Sequence, residues 1–470
     1  MTGGITMDWQ ATWDDPFTTY LQTFDSLIGD TRTRTTFSET VKGIIGAGSL
    51  ICQRIAAHSP VFAAVKDGAQ RILRMASGES TKRSPHLDAA HLTAKLRAHA
   101  VEHLASSPSD ELWLMLDGSE LRKPHARAMP YLMRVRSLEG GLVNGYRTLT
   151  VIGLTPQHRG VLYHRLFSST EPGFVSEPHE VQHALTTVSA AITPLKAQMA
   201  VSWVMDSGFD DVAVWRTVWE QDEHVVCRLK HPERLIRYQD RQGEWQSGDI
   251  SAARRQMRLL ARAETMMVVQ RGRQPRPKEQ RVPVEVWACP MRLAYATNVR
   301  RAGAGEVVEQ ALWLVEVRLL ETKLEPWLLL TDWAVETEQQ AVRVFRMYRQ
   351  RWAVEDSFKF TKECLGWEEV QVLDLAGVRT LVALAWVAAG FLYEFGVSLE
   401  WAEVWLLARL GGWVPHKDRK PGKITLTRGL RRLLEMLTTE AVLAAYLREH
   451  GAFPATIAAL LRGWSPPEEL

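Results

Sequence analysis

Apolar and polar positions divide the chain into stretches of different rhythm. Up to residue 106 the period is helical, with Ala-rich segments over 44–55, 63–75 and 89–104, separated by Gly-rich or Ser/Pro breaks such as GESTKRSP at 78–85. Short apolar runs then take over. LWLML at 112–116 reads as a buried strand. The runs over 143–154 and 160–167, joined by the turn TPQHRG, complete a three-strand meander. A helix over 178–198, a strand over 199–205, a helix over 211–221 and a strand over 224–229 follow. Residues 233–330 are rich in Arg and in β-like runs such as VPVEVW at 282–287 and ALWLVEVR at 311–318, and read as a mostly β insertion. From Thr337 the pattern is helical almost to the end.

Three antiparallel strands, then helix, strand, helix, strand, is the order of a ribonuclease-H-like α/β domain. The expected fold class is therefore α/β, with a β-rich insertion and flanking helical domains. The boundaries read as a helical domain over 1–106, a catalytic domain over 107–232 and 331–395, the insertion over 233–330, and a helical region over 396–470.

Composition narrows the class. With 470 residues, 46% hydrophobic and 24% charged, the chain is long enough for a large core and several domains. No signal or transit peptide is legible. The longest apolar run, 381–393, is stopped by Glu394 and falls short of the ~20 residues that a bilayer requires, so it reads as a buried core helix and no membrane partner is expected. Cys52, Cys227, Cys289 and Cys364 lack zinc-ligand spacing, which points to a reducing bacterial cytoplasm. Net charge is only +3, but residues 254–281 carry +7 and residues 411–432 carry +6. Such clusters suit a phosphate backbone, and Arg271, Arg273, Arg276 and Lys278 are the expected contacts.

The chemistry concentrates in YRQRWAVEDSFKFTK at 348–362. On one helix, at about 100° per residue, Tyr348, Arg351, Glu355 and Lys362 fall within an arc of roughly 60°. A phenol, a guanidinium, a carboxylate and an ammonium on one face suit a phosphate and a divalent cation. Asp117 follows the first strand and Asp206 the fourth, which are neighbours in the expected order. Carboxylates at about 4 Å repel by ~4 kcal/mol per pair at an effective dielectric of 20, a penalty that bound cations remove.

These residues resemble the IS-four family of DDE transposases of bacterial insertion sequences. The family signature, Tyr, two residues, Arg, three residues, Glu, six residues, Lys, is met without a gap by Tyr348, Arg351, Glu355 and Lys362. Its second block, Asp, any residue, Gly or Ala, aromatic, is met by Asp206, Gly208 and Phe209. A long insertion before the Glu is a further family trait, and 148 residues separate Asp206 from Glu355. The stretch Arg228, Leu229, Lys230, His231, Pro232 also looks like the family's strand end. The resemblance covers roughly residues 107–395. It implies Asp117, Asp206 and Glu355 as catalytic and metal-binding residues for two Mg²⁺ ions, with Mn²⁺ as a substitute. It further implies DNA contacts by Tyr348, Arg351, Lys362, Arg228 and Lys230, and a base-stacking role for Trp327 on a hairpin route. The partners it implies are double-stranded DNA, at transposon ends and target, and a second copy of the chain on that DNA. Residues 1–106 would read the terminal repeat.

Plainer roles compete at each position. Glu355 could pair with Lys359 at i+4 on a solvated helix face. Asp117 and Asp206 could close their strands as Asx turns. Asp210, Asp211, Asp356 and Glu363 are read as bystanders, and His58 and His164 as structural or exposed. Two other functions use the same residues, a DNA-binding descendant without activity and a nuclease without strand transfer.

Overall fold

The structure is a computed structural model that describes residues 13–62, 64–77, 86–269, 278–296, 307–414 and 421–461. It opens with α1 (Asp15–Gln22), α2 (Thr31–Ala47), α3 (Cys52–Ala57), α4 (Val65–Ala76) and α5 (Ala89–Ala105). Then come β1 (Glu111–Arg122), β2 (Met133–Arg136), β3 (Leu142–Leu154), β4 (Arg159–Phe167), α6 (Glu177–Ala191), β5 (Ala200–Met205), α7 (Val212–Trp219) and β6 (His224–Arg228). The next stretch holds β7 (Leu235–Gln239), β8 (Trp245–Asp249), α8 (Ile250–Arg254), β9 (Arg258–Val269), β10 (Lys278–Ala296), β11 (Val307–Leu319) and β12 (Trp327–Thr331). Six helices close the chain: α9 (Glu338–Arg349), α10 (Trp352–Cys364), α11 (Leu375–Ser398), α12 (Trp401–Leu410), α13 (Lys423–His450) and α14 (Ala455–Leu460).

One large mixed sheet organises these elements, in the order β2-β3-β1-β5-β6-β12-β11-β10-β7-β8, with β4 on β3 and β9 on β10. β1, β3 and β4 pair antiparallel, and β5 and β6 add in parallel. The strands of the 233–330 stretch continue this sheet, because β12 pairs with β6. Pro283 and Pro290 both lie inside the long strand β10. Pro290 falls where one edge of β10 changes partner, from β9 up to Ala288 to β7 from Met291, so its missing N–H costs little there.

Alternation decides the two faces. Leu112, Leu114 and Leu116 of β1 and Val201, Trp203 and Met205 of β5 share a core with α6 and α7. Met115 and Val204, on the opposite face, join the core beneath α10 and α11. Strands covered on both faces read as continuous apolar runs, as 112–116 does.

α11 is long and apolar enough to cross a membrane by composition, yet 89% of its apolar window is buried inside the protein. Trp13, just before α1, and Phe17 of α1 lie on it, their rings each 5.1 Å from Phe391. Tyr20 donates its hydroxyl to the Val387 carbonyl at 2.8 Å. A side chain at Gly390 would meet that hydroxyl at 2.6 Å, so the close approach needs glycine. The N-terminal helices thus bury their apolar side chains in the core that α11 occupies.

Three expectations need correction. A helix over 44–55 is broken, because α2 ends at Gly48, whose φ of 58° is left-handed and whose N–H caps the Ile44 carbonyl. β2 was not foreseen, being only four residues long with Arg at alternate positions. β1 does not stop at Asp117, as the next subsection describes.

Candidate active site

Two neighbouring strands deliver the first two carboxylates. β1 and β5 run parallel, with Leu116 opposite Met205 as their last pair. Asp117 and Asp206 are the next residues on each. β1 continues to Arg122, however, by pairing with β3 alone. Asp117 therefore stands where β5 departs and not at the strand's end, and the sheet still opens there on one side. Asp117 accepts the Gly118 N–H at 2.8 Å, and Asp206 accepts the Gly208 N–H at 2.8 Å as cap of a short 3-10 turn.

Burial and then the charge of Asp206 push the Asp117 carboxyl up to about 7, against the opposing pull of Arg351 and the Gly118 amide. Two acidic groups share one half-buried place, and one of them resists ionisation.

α9 and α10 bring in the rest. Thr337 and Gln340 form a capping box at the start of α9, with side chain to backbone hydrogen bonds of 3.3 and 3.0 Å. Thr337→Ala should therefore cost about 1 kcal/mol in a denaturant titration; an unchanged midpoint would mean that the cap contributes nothing. Ala341, Val344, Phe345, Met347 and Tyr348 form the buried stripe of α9.

The helix then breaks at Gln350 and Arg351. The N–H groups of Arg351, Ala353 and Val354 bond three residues back, to Tyr348, Gln350 and Arg351 at 3.0, 2.8 and 3.2 Å. The four signature residues are thus not on one unbroken helix face. Tyr348 is on α9, Arg351 at the junction, and Glu355 and Lys362 on α10.

That junction seats Arg351 between two carboxylates. Its guanidinium lies 2.6 Å from Glu355 and 3.6 Å from Asp117. The Arg351 side chain is 10% exposed and that of Glu355 is 52% exposed. Arg351 Nε is buried and without a hydrogen-bond partner among the described residues. Glu355 is therefore engaged by Arg351, while Lys359 pairs with Glu363. Among the described residues no group of three or more His, Cys, Asp or Glu is arranged to hold a metal ion. Arg351 lies between Asp117 and Glu355, so each of these carboxylates meets a guanidinium.

Lys362 reaches β1, donating to Ser119 Oγ at 2.9 Å and to the Glu120 carbonyl at 3.3 Å, with Glu368 3.4 Å away. Burial draws its pKa down. Ser119 and Glu368 were missed from sequence; the two-residue period of β1, which puts Ser119 on the Asp117 face, was the available signal.

Tyr348 is buried, which raises its phenol pKa, and nearby Arg351 and Arg228 oppose the rise. Arg228 is half-buried at the end of β6, and Lys230 is exposed. Trp327, the expected base-stacking residue, lies inside the DNA-free protein. It is 7% exposed and packs at 5.2 Å from Tyr348 and 6.2 Å from Phe345, because inward positions of β12 face α9.

Arg271, Arg273 and Arg276, and the side chain of Lys278, lie outside the described residues. Elsewhere in that basic run Arg254 is paired to the buried Glu316, and Arg262 to Glu285. The bystander carboxylates have structural partners. Asp210 holds Arg234 and the His231 N–H, Asp211 caps α7, and Asp356 joins Arg159 to Lys423. His164 is buried on Thr150, and burial pushes its pKa down to about 3.

Known proteins supply an independent comparison. No curated protein matches the chain. Among solved structures, the cryo-EM structure of a piggyBac transposase synaptic complex with hairpin DNA aligns with 97% of this chain and 84% of that chain. The identity is 11% and the TM-score 0.39, a likeness too loose to carry an argument. Residues 178–389 match the family described as "Transposase DDE domain", a span that includes Asp206 and Glu355. This stretch is thus similar to a transposase DDE domain, and the protein is an enzyme of the nuclease and transesterase type.

Proposed function

We propose that this protein is the DNA transposase of a bacterial insertion sequence of the IS-four type, cutting and joining DNA with Asp117, Asp206 and Glu355. The observation that carries the reading is the pairing of Leu116 with Met205, which sets two acidic residues side by side with Arg351 and Glu355 against them. The strand order β4-β3-β1-β5-β6 is that of a ribonuclease-H-like domain, and supports the same reading. Residues 1–106 would read the terminal repeat, residues 107–232 with 331–395 would hold the catalytic centre around the 233–330 insertion, and residues 396–470 would serve DNA contact or dimerisation.

The donor set fits a hard divalent cation. Asp117 and Asp206 would supply carboxylate oxygens, and a cation there would offset the burial and the Asp206 charge that raise the Asp117 carboxyl. Glu355 completes the set by leaving Arg351, which its exposed side chain permits. Two bound Mg²⁺ or Mn²⁺ ions would stabilise the attacking and leaving oxygens of an in-line displacement. Arg351, once released, offers a fork to a DNA phosphate. Tyr348 packs beside its guanidinium, and Lys362 ties α10, which carries Glu355, to β1 through Ser119. A hairpin route through Trp327 would require that side chain to leave the packing of Phe345 and Tyr348.

Mg²⁺ added to the DNA-free protein at pH 8 should raise its stability by about 2.7 kcal/mol at a hundred times the dissociation constant. A melting temperature indifferent to Mg²⁺ and Mn²⁺ would count against the carboxylate site. The function itself is tested by incubating the protein with duplexes ending in the element's terminal repeat and a target plasmid. Nicking at the repeat boundary followed by joining to the target is expected. Nicking without joining would favour a nuclease, and binding without nicking an inactive descendant.

A further inference from the structure

Residues 122–136 carry five Lys or Arg and one His, with no acidic residue anywhere from 121 to 138. They link β1 to the edge strand β2. Arg122 and Lys123 anchor the segment. Arg122 donates to Glu368 and to the Arg136 carbonyl, both at 2.9 Å, and Lys123 donates to the Glu368 carbonyl at 2.8 Å. These two cations are thereby committed to the fold.

The remaining charge points outward. On β2, Met133 and Val135 are buried while Arg134 and Arg136 are exposed. His125 and Arg127 are exposed in the preceding loop. Arg127 and Arg136 have no ion pair among the described residues. Tyr131, in the same loop, is 42% exposed and holds a φ of 56°, a conformation that non-glycine residues adopt at a cost. The loop lines an open cleft of about 640 Å³ that also holds Arg54, Glu368 and Glu369, both glutamates being paired, Glu369 with Arg54 and Glu368 with Arg122.

This surface is continuous with the carboxylates. Lys362 bonds Ser119, two residues beyond Asp117, and shares Glu368 with Arg122. Arg136 pairs with Leu142 of β3, eight residues along that strand from Thr150, the partner of Asp117, or ~26 Å at about 3.3 Å per residue.

We propose that residues 122–136 grip the phosphate backbone of double-stranded DNA beyond the cutting site, with Arg127 and Arg136 as direct phosphate contacts and Tyr131 beside them. The inference rests on the transposase reading for the identity of the DNA.

The test is the salt dependence of duplex binding by the full-length double variant Arg127→Ala/Arg136→Ala, followed by fluorescence anisotropy. Two lost contacts should flatten the slope of log K against log salt by ~1.8, at about 0.9 per contact. The affinity lost between 50 and 200 mM salt then shrinks by ~12-fold. Arg127→Lys/Arg136→Lys should keep the wild-type slope. An unchanged slope in the Ala variant would overturn the proposal and leave these arginines as guards of an edge strand. Cleavage by the wild type in the same samples separates the two claims. A flattened slope without cleavage keeps the surface and removes the transposase reading. Cleavage with an unchanged slope does the reverse.

Discussion

Replacing Glu355 with Gln is expected to lower the rate of DNA cleavage by at least about a thousandfold, or ~4 kcal/mol of barrier, without unfolding the protein. Gln keeps the length of the side chain and a hydrogen bond to Arg351 but loses the charge. Glu355 is half exposed on α10 and contributes nothing to either core, so the circular dichroism spectrum and melting temperature should stay near wild type. Single-turnover cleavage of an end-bearing duplex measures the effect. Activity within tenfold of wild type would remove Glu355 from the mechanism, and would favour its plain role as the i+4 partner of Arg351.

Asp117→Asn, by contrast, should change stability. The folded Asp117 keeps its proton up to about pH 7, whereas an open-chain carboxyl loses it near 3.8. Between those values the folded state binds more protons than the unfolded one, so stability falls as pH rises through this window. By pH 8 the full cost has accrued. At 1.36 kcal/mol per pH unit its ceiling is ~4 kcal/mol, and partial contact of the side chain with solvent reduces it to about 1–3 kcal/mol. Asp117→Asn removes that charge and its repulsion with Asp206. The metal-free variant should therefore be more stable than wild type at pH 8 by about 1–3 kcal/mol, and equal to it at pH 4. Denaturant titrations at the two pH values read this directly. Equal stability at pH 8 would show that Asp117 is not held in an uncompensated state. The same substitution should abolish cleavage, so that stability and activity part company at one residue, as happens where a site stores unfavourable charge.

Much of this site was legible because its chemistry depends on spacing. The intervals from Tyr348 to Lys362 and the acidic residues following apolar strands are visible without a structure. The break at Gln350 and Arg351 was not, since it involves neither Gly nor Pro and both residues keep near-helical backbone angles. Its consequence is local and decisive: it turns Arg351 between Asp117 and Glu355. The run of β1 past Asp117 was hidden for another reason. Residues 118–120 are small or polar and pair on one side only, so they lack the apolar signature of a buried strand. The inward setting of Trp327 was not legible either, because the packing of β12 under α9 decides it. The N-terminal helices were legible as helices, but their burial against α11 depends on contacts such as Tyr20 with Val387 that no local pattern records.

The central claim is that Asp117, Asp206 and Glu355 hold divalent cations while DNA is cut, and a thiol exchange tests it most directly. A supercoiled plasmid carrying the element's two ends is incubated with wild type or Asp117→Cys, in Mg²⁺ or in Mn²⁺. Wild type should release the fragment between the ends with either ion. The variant should fail with Mg²⁺, which binds sulfur poorly, and recover part of its activity with the softer Mn²⁺. A wild type that binds the ends but releases no fragment with either ion would contradict the account.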